Sequence, residues 1–149
     1  MNMQFDQKTI NLLKATIEKH GWIDLPAEGF SMYPFIQKGE ICRFTKFNDN
    51  ALKKGDILLF HTKLGQLIAH RFYRVDKGQL LLKGDTNECL DEPVLPSQVI
   101  GYLESVQKQK QMMSMHKPFA SLLSKVIVGF PFSARLFRYY LRRKLGDLS

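Results

Sequence analysis

Between residues 22 and 106 the chain is a succession of short apolar or alternating runs, and this constrains its fold more than any other feature. The runs are "WIDL", "ICRFTKF", "DILLFHT", "QLIAHRFYRV", "QLLLKG" and "QVIGYLESV". Turn-forming breaks such as "NDNALKKGD", "KLGQ" and "DKGQ" separate them. Runs of this length and period, bounded by Gly, Asn and Asp, read as strands. Their spacing predicts a compact, mainly β domain of mostly antiparallel strands.

The flanks have a different texture. Ile10, Leu13 and Ile17 recur at helical spacing, Asp6 stands where a cap is needed, and Gly21 can end the helix. Residues 1–21 therefore read as an N-terminal amphipathic helix, and residues 22–106 as the β domain. Residues 107–149 read as a basic linker, "QKQKQMMSMHKP", followed by a helical hairpin. In its first arm Phe119, Leu122, Leu123, Val126, Ile127 and Phe130 make a stripe, which "GFP" breaks. In the second, Leu136, Phe137, Tyr140 and Leu141 make a stripe, with Arg135, Arg138, Arg142 and Arg143 largely opposite.

Charge follows the same division. The net charge is +8, yet residues 1–106 hold 13 basic and 13 acidic side chains, so the excess belongs to the tail. An anionic partner is to be sought there. No apolar run reaches the length of a signal peptide or a transmembrane helix, which predicts a cytoplasmic protein. Cys42 and Cys89 fit no zinc or redox spacing and read as buried or half-buried thiols. No metal or cofactor is expected.

Ser31 lies in "EGFSMYPFIQKGE", among Phe30, Met32 and Phe35. A serine here is either a hydrogen-bonded bystander or a nucleophile on an apolar platform. A nucleophilic serine needs a base to take its proton. Of four histidines, His20 and His116 read as solvated and His61 as lying at a strand end. His70 falls within "LIAHRFYRV", where alternation puts it on one face with Ile68 and Phe72. In "KGDTNECLDEP", Asp85 and Asp91 are acids that could hold an imidazole ring. Taken alone, a histidine on an apolar strand face is also what a core residue looks like.

Together, "SMYP", "KGDILLF", "AHRFYRV", "KGDTNECLDEP" and "QVIGYL" resemble the signal peptidase I family. The likeness is to its histidine-bearing branch, of endoplasmic-reticulum and archaeal type, and covers roughly Gly29 to Leu103. It implies a partly open antiparallel β-barrel of signal peptidase type. It makes Ser31 the nucleophile, His70 the general base, Asp91 the acid supporting the ring, and Asp85 a second acid shaping the site through backbone hydrogen bonds. Substrate contacts would fall on Gly29, Phe30, Met32 and Ile68, with Met32 and Pro34 positioning the serine turn and Arg71 as a structural neighbour. A substrate strand would add to a β edge near the serine. The implied reaction is peptide-bond hydrolysis through an acyl-enzyme, with small residues before the cut.

The chain departs from that pattern in three places. A polar helix stands where the family has a membrane anchor. Gly29 replaces a serine that can donate to the oxyanion in many relatives. The basic hairpin is additional. The implied substrate is a signal-like or leader peptide, cut in the cytoplasm or at the inner membrane face. Two function classes stay open: a serine endopeptidase, and a non-catalytic peptide-binding or membrane-docking module on the same fold. For the tail, packing or dimerisation stands beside an anionic membrane surface contacted through residues 112–145. No nucleic-acid-binding motif is evident.

Overall fold

A computed structural model describes residues 4–108, 111–115, 118–130 and 132–146, with the side chains of 111–114 and 119 excepted. The elements are α1 (Gln7–His20), β1 (Trp22–Pro26), β2 (Ile41–Thr45), β3 (Ile57–His61), β4 (Leu67–Asp76), β5 (Gln79–Lys83), β6 (Val99–Lys108), β7 (Gln111–Ser114), α2 (Pro118–Gly129) and α3 (Ser133–Gly146). All six expected strands form.

Every strand pairing is antiparallel, in the order β1-β2-β6-β3-β4-β5, with β7 on β6. The fold is an open, mainly antiparallel sheet with one helix before it and two after. β6 is long enough to serve both sides of the sheet. Its Tyr102 lies opposite Thr45 of β2 and Leu58 of β3.

β3 shows why its sequence is uninterruptedly apolar. Ile57 and Leu59 enter a core with Ile10 and Ile17 of α1, Met32, Phe35, Phe44, Leu103 and Val106. Leu58 and Phe60 enter a second core with Phe72, Leu80, Leu82, Val94 and Val99. A strand covered on both faces cannot alternate with polar residues. α1 is capped as its sequence predicts. The Asp6 carboxylate accepts from the Thr9 amide, and Gly21, at φ 86°, takes the left-handed C-terminal position.

The chain beyond residue 106 corrects several expectations. The expected linker is partly strand: β6 runs to Lys108, and β7 pairs with it from Ser105↔Ser114 to Lys108↔Gln111. Met115 packs on the main core. His116, Pro131 and the side chains of Met112, Met113 and Phe119 lie outside the described residues. α2 and α3 bend by 108° at their break, so they form an elbow. The expected stripes are packed only in part. Ile127 is buried and Leu123 packs on the main core, together with Ala120 and Ser124 of α2 and Ala134 of α3, while Leu122, Val126, Phe130, Leu136 and Tyr140 are exposed. Cys42 is buried, but Cys89 is exposed. No single helix is long and apolar enough to cross a membrane.

Candidate functional site

Ser31 sits on a turn whose apolar neighbours anchor it. Met32, Phe35 and Ile36 are buried in the main core, and the Ile36 amide donates to the Met32 carbonyl at 2.8 Å. Lys108 of β6 fixes the far side of the turn by donating to the Phe35 carbonyl and the Glu40 carboxylate. Ser31 itself is only half-buried. Among the described residues its backbone amide has no acceptor, which leaves that N–H available to a ligand.

His70 comes from β4, opposite Leu58 of β3, and is 5% exposed. Its ring meets Phe60 edge-on at 6.3 Å between centroids. The Nδ1 nitrogen lies 2.6 Å from Oδ2 of Asp91. That carboxylate acts only as an acceptor, so the bond places the ring proton on Nδ1 and leaves the Nε2 lone pair free. Nε2 has no protein partner among the described residues and is not a buried orphan atom, so it keeps some exposure to solvent.

Asp91 is held by backbone pairing. Its amide donates to the Leu82 carbonyl at 2.8 Å, and Leu80 and Val94 exchange two further hydrogen bonds. The same loop ties down the serine turn: the Thr86 amide donates to the Ser31 carbonyl at 3.0 Å, and the Thr86 hydroxyl to the Phe30 carbonyl at 3.3 Å.

The three segments converge on Gly84. A Cβ there would lie 2.9 Å from His70 Nε2, 2.9 Å from the Ser31 carbonyl oxygen and 2.8 Å from Asn87 Nδ2. Nε2 and the Ser31 backbone are therefore within about twice that distance of each other. Only a residue without a side chain allows that approach. No hydrogen bond joins Ser31 Oγ to His70 Nε2 among the described residues. In unliganded sites such bonds are often long and tighten when substrate binds.

Asp85 does something other than expected. Both its oxygens are taken by Arg71, Oδ1 from Nε at 2.8 Å and Oδ2 from Nη2 at 2.7 Å, with both side chains fully buried. Arg71 Nη1 also donates to the Gly55 carbonyl and to Ser124 Oγ of α2. Asp85 thus shapes the site through one side-chain ion pair, with Asp91 alone holding the ring. Arg71 proves to be the residue that joins β4, the acid loop and the elbow. Its position beside His70, with an acid downstream, was the only sequence signal for that role.

The expected substrate contacts separate. Gly29 is exposed, and Phe30 and Ile68 are half-buried, the first two on the serine turn and the third on β4. Met32 is buried in the core and seats the turn, so it is no surface contact. β5 pairs only with Arg71–Asp76 of β4, so Leu67–His70 have β3 as their one strand neighbour among the described strands. Gln4 forms an isolated antiparallel bridge to Gln66 just before them. His61 lies at the end of β3 with Nδ1 at 3.2 Å from the Thr62 carbonyl, away from this chemistry.

A groove of about 710 Å³ lies elsewhere, lined by Gln37–Ile41, Gln107, Lys108 and Lys144, and includes none of Ser31, His70 and Asp91. Among the described residues, no three His, Cys, Asp or Glu side chains are grouped to hold a metal ion. No known protein family, curated protein or solved structure matches the chain.

Proposed function

We propose that the protein is a serine endopeptidase of signal peptidase I type, using Ser31, His70 and Asp91 on a partly open barrel, and cutting a signal-like or leader peptide. The observation that carries this reading is the His70–Asp91 bond at 2.6 Å, with Nε2 left open on the side of the Ser31 turn.

The residues supply each step of an acyl transfer. The substrate adds as a strand along Leu67–Ala69, which presents its carbonyl to Ser31. Ser31 Oγ attacks that carbonyl as His70 Nε2 takes the hydroxyl proton. The imidazolium that forms is stabilised by Asp91 through Nδ1–H. The free Ser31 amide donates to the oxyanion, with Gly29 offering no side-chain donor. The tetrahedral intermediate collapses as Nε2–H gives its proton to the departing amine. Water, deprotonated by the same nitrogen, then hydrolyses the ester.

The second reading is a peptide-binding module on this fold, and the observation on its side is the missing Ser31–His70 hydrogen bond. Incubation with a peptide library, read by mass spectrometry, separates the two. Cuts made by the wild type and absent with Ser31→Ala support the peptidase. Peptides retained uncut by both proteins support the module.

A further inference from the structure

The elbow buries the wrong residues for a simple packing role. Its inward positions are mostly small or polar: among the described residues Ala120, Ser124 and Ala134 are buried, with Ile127 the one large fully buried side chain and Leu123 partly buried against the core. Arg138 also points inward, donating to the Thr86 carbonyl at 2.9 Å and to Glu88 at 3.3 Å. Many large apolar side chains face away. Leu122, Val126 and, just past the end of α2, Phe130 recur at four-residue spacing, and Leu136, Tyr139 and Tyr140 lie exposed along α3. Phe130 and Phe132, near the bend, are 64% and 70% exposed. An apolar surface of this extent is costly unless something covers it.

Charge identifies the cover. Residues 118–146 contain six basic side chains and no acid. Of these, Lys125, Arg135, Arg142 and Arg143 are exposed on the same two helices as the apolar rows, whereas Lys144 turns toward the Tyr33 ring. A second copy of the chain, meeting this face symmetrically, would set those cations against their own counterparts. A duplex would satisfy the cations and leave Phe130, Phe132 and Leu136 in water. An anionic bilayer satisfies both: headgroups take the guanidinium and ammonium groups, and the acyl boundary takes the Phe, Leu and Tyr side chains.

We infer that the outward faces of α2 and α3 are a docking surface for a membrane rich in anionic lipid. The inference does not rest on the peptidase reading. Arg138 bonds the loop that carries Asp91, so docking would hold the Ser31–His70–Asp91 cluster close to the lipid surface.

The test is co-sedimentation of the full-length chain with vesicles of phosphatidylcholine alone or mixed with phosphatidylglycerol. The wild type should pellet with the mixed vesicles and remain in solution with the neutral ones. Phe130→Ser with Phe132→Ser, and separately Arg142→Gln with Arg143→Gln, should each weaken binding on the order of tenfold or more. All four positions are exposed, so circular dichroism should show an unchanged fold. Failure of the wild type to bind mixed vesicles, or binding indifferent to both variants, overturns the inference. So does a solution dimer that Phe130→Ser with Phe132→Ser dissociates, since the face would then belong to a second copy.

Discussion

The Nδ1 nitrogen of His70 sits 2.6 Å from Oδ2 of Asp91, although the two residues come from a strand and from the loop after the next strand. The β4–β5 hairpin brings them together, and the Asp91 amide, bonded to Leu82, fixes the distance. Asp91→Asn preserves the size of the side chain but lets the ring adopt the tautomer that blocks Nε2. Activity should fall on the order of 10³- to 10⁴-fold, mostly in kcat, with the fold intact. Steady-state kinetics on a cleaved peptide measure this. A change confined to KM would make Asp91 a binding residue instead.

The Arg71–Asp85 pair is a stability element. Removing one member leaves a fully buried charge without its partner. Asp85→Ala should therefore cost about 3–5 kcal/mol. Arg71→Lys should also be costly, because a lysine cannot reproduce the two-pronged contact. Urea denaturation reads both. Near-wild-type stability in either variant would contradict the assignment.

Gly84 is needed for clearance. Gly84→Ala puts a methyl group against His70 Nε2, the Ser31 carbonyl and Asn87. Because two of those three groups belong to the proposed site, activity should drop by about 100-fold while stability falls by about 1–3 kcal/mol. An active, fully stable Gly84→Ala protein would show that the serine turn and His70 are free to move apart.

Arg138 links the elbow to the acid loop through two bonds to the Thr86 carbonyl. Arg138→Gln should speed amide hydrogen exchange in residues 84–91 and leave α1 and β3 unchanged. Exchange accelerated uniformly across the chain would mean that Arg138 contributes only to global stability.

The two thiols should differ in reactivity. Burial, aided by Glu40, pushes the Cys42 thiol up to about 12, so it stays protonated at mildly alkaline pH. Cys89 is exposed. One thiol should react promptly with a disulfide reagent in the native protein and two in denaturant, with mass spectrometry locating the first on Cys89. The sign for stability follows. The unfolded chain releases the Cys42 proton at lower pH than the folded one, so this residue's contribution declines as pH rises from about 9 towards 12.

The β domain was legible because its strands are written in two ways that turns make unambiguous. β3 is apolar on both faces, β4 sends Leu67 and Ala69 to one core and Ile68 and Phe72 to the other, and Gly55, Gly65 and Gly78 take positive φ at the breaks between strands. β7 was not legible: "QMMS" has neither alternation nor a β-branched residue, and pairing with β6 supplies its structure. The elbow misled the stripe rule, which assumes that large apolar residues face inward. Here Ala120, Ser124 and Ala134 pack inward beside Ile127, and many of the other large side chains are left outside. In the candidate site, the pairing of His70 with Asp91 was readable. That Asp85 would belong to Arg71 was not, because two carboxylates six residues apart compete for two bases and only three-dimensional reach decides between them.

Whether Ser31 and His70 act as one catalytic unit is tested most directly by a double-mutant comparison. Cleavage of one peptide would be measured with wild type, Ser31→Ala, His70→Ala and the double variant. The account predicts that each single change removes at least about 10³-fold of the rate and that the double variant is no worse than either. Cleavage retained by His70→Ala, or losses that multiply in the double variant, would contradict it.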